Sequence, residues 1–89
     1  MSKILVVDDE KGITEMVAKY LESVGHEVIT AQSGSEAIEK VTQEKPQIVL
    51  LDIRMPGMDG IEVLKKIKVL DPKIGVVMIT AVSDEVTAK

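Results

Sequence analysis

The chain has no cysteine, no phenylalanine and no tryptophan, and Tyr20 is its only aromatic residue. Without cysteine there is neither a disulfide framework nor a thiolate metal site, which fits an intracellular, cytoplasmic home. Without phenylalanine or tryptophan the core must be aliphatic. Long apolar runs are missing too: the longest are about four residues, against the ~20 needed to span a bilayer. Ile4, Leu5, Val6 and Val7 are also too few for a signal-peptide core, and Asp8, Asp9 and Glu10 close the run. There is no excess of positive charge. The net charge of −4 argues against nonspecific nucleic-acid binding by this segment and is silent on any attached DNA-binding domain. No internal repeat, low-complexity tract or domain linker is visible. What remains is 89 residues, 45% apolar and 29% charged, suited to one small globular domain.

The most informative stretch is QIVLLDIRMPGMDG, residues 47–60. Ile48, Val49, Leu50 and Leu51 form an apolar run too short for a helix, as expected for a strand buried on both faces of a parallel sheet. Asp52 follows at once. This places a carboxylate at the C-terminal edge of the sheet, where open α/β sheets bind ligands. Pro56 and Gly57 suit a type II turn. Asp59 then opens a helix as N-cap, with Glu62 reaching back.

The rest of the chain repeats this plan. Ile4, Leu5, Val6 and Val7 read as the first strand, again followed by acids, Asp8 and Asp9. Ile13, Met16, Val17, Tyr20, Leu21 and Val24 form one stripe of an amphipathic helix, with Met16 in its core-facing row and Gly25 just past its end. Glu27, Val28, Ile29, Thr30 and Ala31 read as a weaker strand, suited to a sheet edge. Ser33 and Glu36 match a capping box, and Ala37, Ile38 and Val41 supply the apolar face of the helix behind it. Lys45 precedes Pro46, and the residue before proline avoids the helical region, so that helix stops there. Ile61, Leu64, Ile67 and Leu70 are the expected buried face of the third helix, which Asp71-Pro72 ends. Gly75, Val76, Val77, Met78 and Ile79 form a fourth strand ending in Thr80, and Ser83-Asp84-Glu85 starts a further helix. Alternation of strand and helix implies right-handed crossovers and a parallel sheet, although crossover hand alone leaves the strand order open.

Parallel strands bring Asp8, Asp9, Asp52 and Thr80 to one edge. Clustered carboxylates repel unless one is protonated or a cation sits among them. An all-oxygen donor set of this size suits Mg²⁺, which often bridges to phosphate. Asp52 can then serve as a nucleophile toward phosphorus, and the Thr80 hydroxyl can bond a phosphate oxygen. Taken singly, an acid or threonine after a strand is ordinarily a cap or a loop residue; the joint pattern is the specific signal. His26, after Gly25, reads as a solvated turn residue. Met55 and Met58 read as loop or packing residues, and Lys65, Lys66 and Lys68 as a solvated helix face.

VVDDE at 6–10, LLDIRMPGMDG at 50–60 and MITA at 78–81 together resemble the response-regulator receiver domain of two-component signalling, the CheY-like family. The resemblance implies a flavodoxin-like, doubly wound parallel sheet of order 2-1-3-4 in an α/β fold. It implies that Asp52 accepts phosphate from a sensor histidine kinase. Asp8, Asp9, Asp52 and the backbone carbonyl of Arg54 would hold Mg²⁺, Thr80 would be the switch hydroxyl, and Ala81 would be the small residue beside the phosphate. Such a domain is not an enzyme beyond metal-dependent phosphotransfer to itself. A haloacid-dehalogenase-like phosphatase also uses a strand-end aspartate, but it needs a second acid two residues on, where this chain has Arg54.

Receiver domains run to ~120 residues, an ordinary small-domain size. Residues 1–89 would then be a fragment holding the first four βα units, with the fourth helix barely begun. The family's fifth strand, its phosphate-binding lysine, its switch aromatic and its last helix have no counterpart. The reading therefore carries three further expectations. Phosphorylation should be impaired. A structural or self-associating fragment is the alternative function. The chain should form a homo-oligomer through the fourth strand or an uncovered sheet face.

Overall fold

The computed structural model describes residues 2–52 and 59–79. Its elements alternate along the chain: β1 Lys3–Val7, α1 Lys11–Ser23, β2 Glu27–Ala31, α2 Gly34–Glu44, β3 Ile48–Asp52, α3 Gly60–Leu70 and β4 Gly75–Ile79. The four strands form one parallel sheet in the order β2-β1-β3-β4. This is the expected flavodoxin-like arrangement, with β2 at one edge.

Register explains how the two faces differ. Leu5 pairs with Val49 and Val7 with Leu51; Val49 and Leu51 pair in turn with Val76 and Met78. Alternation along each strand puts these side chains on one face. There they pack with Ala37 and Val41 of α2 and with Val63 and Ile67 of α3. Leu5, Leu51 and Ile67 are wholly buried, and each such side chain contributes about 1.5–3 kcal/mol. The opposite face carries Ile4 and Val6 of β1, Ile48 and Leu50 of β3, and Val77 and Ile79 of β4. Among the described residues only α1 covers it, and α1 packs on β1 and β2. Exposure accordingly rises across the sheet, from Val6 at 2% to Val77 at 51%.

Local signals set most element ends. Ser33 Oγ accepts from the backbone N–H of Glu36, as the capping box requires. Glu36 Oε1 reaches one residue further back than expected, to the N–H of Gln32. Asp59 Oδ1 caps α3 by accepting from Ile61 N–H. Gly25 takes a φ of +99°, which fits its place just past α1. Lys45 ends α2 as expected but takes the left-handed conformation, φ 51°, and its N–H bonds Val41 O. It thus leaves the right-handed helical region without becoming extended.

Three expectations need correction. In α1, Met16 and Tyr20 are more than half exposed, as is Val24 just after it, and Ile13 is exposed as well. The inward side centres on buried Thr14, with Val17 and Leu21 half-buried. The sequence stripe merged two neighbouring flanks of the helix, and only one of them meets β1 and β2. In α3, Val63 and Ile67 are buried and Leu64 half-buried, whereas Ile61 and Leu70 are exposed. The helix is turned so that residues 60, 63 and 67 point at the sheet. His26 is half-buried rather than solvated, and no described group reaches its buried Nδ1. The two lysines adjoining the α3 core residues, Lys66 and Lys68, are exposed, as is Lys65. Lys68 also donates to Ile74 O.

Candidate functional site: an acidic cluster at the sheet edge

Asp52 is the last residue of β3, the strand that lies between β1 and β4. Its apolar predecessors are held on both sides by ladder pairing, so the carboxylate is set by the most constrained part of the fold. It is 8% exposed. Asp8 follows the last residue of β1. Since Val7 pairs with Leu51, the next residues on the two strands are Asp8 and Asp52. The Asp8 N–H continues toward β2 by donating to Ala31 O at 3.1 Å. Asp8 Oδ1 accepts from Glu10 N–H at 2.9 Å, a local turn that swings Asp9 over the same edge.

The result is a cluster. One carboxylate oxygen from each of Asp8, Asp9 and Asp52 lies within 4.8 Å of the others. Asp52 is buried, Asp8 half-buried and Asp9 exposed, so the group is open on one side. Burial is the main cause that pushes the Asp8 carboxyl above its ordinary value, and the charges of Asp52 and Asp9 push it the same way. The bond from Glu10 N–H opposes them. Part of this is like-charge repulsion, which an added cation relieves.

Two residues outside the sequence reading tie α1 to the segment after β2. Thr14, buried in the first turns of α1, donates to Lys11 O and accepts from Gln32 Nε2. Gln32 leads from β2 into α2. The bond joins the two segments that flank the acidic loop. A lone threonine among apolar helix positions was the available signal, but its partner is distant in sequence. Of the remaining expected site residues, Arg54, Thr80 and Ala81 lie outside the described residues, as do Met55, Met58 and the start of the expected fourth helix. No described helix is long and apolar enough to cross a membrane.

Comparison with known proteins agrees with this geometry. The family model described as response regulator receiver domain matches residues 4–89. The chain is 46% identical over 79 residues to sporulation initiation phosphotransferase F of Bacillus subtilis, covering 89% of this chain and 64% of that protein. It is 43% identical over 83 residues to the alkaline phosphatase synthesis transcriptional regulatory protein PhoP of Bacillus subtilis, covering 93% and 35%. The chain thus spans less than two thirds of either relative. Among solved structures, response regulator protein TrrA from Thermotoga maritima, in complex with Mg²⁺ and BeF, superposes with a TM-score of 0.86. It is 38% identical, over 98% of this chain and 76% of that one. The N-terminal domain of a receiver protein from Methanoculleus marisnigri gives a TM-score of 0.85 at 43% identity, over 91% and 68%. Sheet order, acidic edge and family match coincide, and the chain belongs to the response regulator receiver domains of two-component signalling.

Proposed function

We propose that Asp52 is the phosphoacceptor of this domain and takes a phosphoryl group from the phosphohistidine of a sensor kinase. A carboxylate oxygen of Asp52 forms the new P–O bond as the P–N bond to the kinase imidazole breaks, and the imidazole nitrogen takes up a proton. The observation that carries this reading is the clustering of Asp8 and Asp9 against a buried Asp52 at the end of β3. A lone buried carboxylate is a poor acceptor site for an anion, whereas one held beside cation ligands is a usable one.

The donor set fits Mg²⁺: three carboxylates, all oxygen, gathered at one open edge. Asp8, Asp9 and Asp52 would hold the ion together with the backbone carbonyl of Arg54. Bound there, Mg²⁺ supplies positive charge against the oxygens of the incoming phosphoryl group. Asp8 and Asp9 orient toward that position, and the Glu10 N–H fixes Asp8. Thr80 would bond a phosphoryl oxygen, and Ala81 would leave room beside it. The chain's own chemistry is acceptance of the group, a signalling rather than a metabolic event, in the cytoplasm.

Acetyl phosphate with Mg²⁺ should add one phosphoryl group to the wild-type chain, read by intact mass, and none to Asp52→Asn. Asp9→Ala should weaken Mg²⁺ binding, read from amide shifts near the cluster. A labelled Asp52→Asn chain would move the acceptor elsewhere. Mg²⁺ titrations unchanged by Asp9→Ala would remove the metal assignment.

A second reading, self-association, is favoured by one observation: Val77 and Ile79 of β4 are 51% and 42% exposed on a strand that is an edge among the described residues.

A further inference from the structure

The α2 and α3 helices lie side by side on the same sheet face, and an open trough runs between them. One part has a volume of about 360 Å³ and is walled by Ile38, Val69, Leu70 and the side chains of Lys65 and Lys66. The other, about 330 Å³, adjoins it at Leu70 and reaches Lys45 and Asp71. The first part is almost wholly apolar, so the lysines line it with their methylene stems and carry their charges at the rim.

Three features mark the rim and floor of the trough. Val69 is 81% exposed, although a β-branched residue on an open helix face is a poor helix former and gains nothing there from packing. Among the described residues, Lys45, Lys65 and Lys66 make no ion pair. Lys45 also holds a left-handed conformation at a helix end where glycine or asparagine is the usual occupant. The trough is thus an apolar floor between uncommitted cations, in a chain whose net charge is −4.

We infer that this trough is a docking site for an acidic amphipathic helix of a partner protein. The shape of a channel between two helices admits a third helix, ridge into groove. Its floor takes apolar anchors spaced i, i+3 or i+4, and its rim takes glutamates or aspartates on either flank. The single acid, Asp71, stands at one end and would meet a basic or polar residue. Charge complementarity with Lys45, Lys65 and Lys66 selects the acidic class, and a concave channel between two helices fits a helix rather than the flat surface of a membrane. The inference is independent of phosphoryl transfer, because no residue of the acidic cluster enters it.

The test is an amide-shift titration of the ¹⁵N-labelled chain with a synthetic amphipathic peptide of about 15 residues, long enough to form a helix. The peptide carries leucines at helical spacing with glutamates on both flanks. Saturable shifts confined to residues 38–45 and 65–71 are expected, weakened about tenfold or more by Val69→Asp and by Lys65→Glu with Lys66→Glu. The matching peptide with lysines in place of glutamates should give none. No saturation up to about 1 mM, which is the weak limit for a specific contact, would overturn the inference. Equal binding of the lysine peptide, or shifts centred on α1 or β4, would do the same. So would perturbation of these residues by phosphatidylserine vesicles but not by the acidic peptide, which would make the surface a lipid contact.

Discussion

The side-chain amide of Gln32 donates to the hydroxyl of Thr14 across 3.0 Å, tying the first turns of α1 to the segment that joins β2 to α2. Thr14 is 1% exposed, and the same hydroxyl donates to Lys11 O at 2.9 Å. Thr14→Val keeps the shape and removes both bonds. Each such bond contributes about 1 kcal/mol net, so the melting temperature should fall by roughly 8–16 °C in a domain of this size. A melting curve that superposes on the wild type would show that the pair contributes nothing.

Asp8→Asn should stabilise the metal-free protein at neutral pH. The Asp8 carboxyl titrates above its ordinary value of 3.8 in the folded chain. The folded state therefore holds the proton more tightly than the unfolded state does. Stability from this group is intact below 3.8 and is lost as pH rises from there through the folded value. Asparagine carries no charge and can still accept from Glu10 N–H. In EDTA at pH 7 its melting temperature should lie above that of the wild type. The difference should narrow as pH falls toward 3.8. A gap that stays constant with pH would assign the effect to something other than this charge.

Val63→Ala and Ile61→Ala should differ sharply, since Val63 is wholly buried and Ile61 is 45% exposed. The first leaves a cavity against β3 and should cost on the order of 2 kcal/mol or more in urea unfolding. The second should stay within about 0.5 kcal/mol, as exposed sites usually do. The reverse order would mean that α3 is rotated from the orientation described above.

Val77→Lys should reduce self-association of this 89-residue chain. Val77 lies mid-strand in β4 on the face opposite α2 and α3, so a lysine there meets solvent or a neighbouring chain rather than the main core. Exposed, β-branched edges pair with other strands, and a charge in their middle is the usual protection. Light scattering over a concentration series should show wild-type mass above that of the monomer and the variant closer to it. A wild-type chain at monomer mass across the micromolar range would refute the expectation.

Much of the site was legible because its parts are local. An apolar run followed by an acid occurs twice, at Asp8 and at Asp52, and parallel pairing carries both acids to one edge. The caps at Ser33 and Asp59 are equally local, since each oxygen meets an N–H two or three residues on. The Thr14–Gln32 bond was not legible, because it joins residues 18 apart through the packing of α1 on β2. The partial burial of His26 is hidden from the sequence for a similar reason: its position in a turn says nothing of what the turn packs against.

The order and type of every described element follow from local signals, because runs of four apolar residues, helical spacing and capping side chains act within a few residues of one another. The acids at the strand ends are local in the same sense. Which flank of a helix faces the sheet is set by packing between elements. Ile13, Met16 and Tyr20 form as good a stripe as Thr14, Val17 and Leu21, and contact with β1 and β2 selects the second. In α3 the same selection buries Val63 and leaves Ile61 and Val69 in solvent. The physical reason is that burial is a property of a pair of surfaces. A periodic pattern states that a helix has an apolar side, but the angle at which that side meets the sheet is set by every other element packed there.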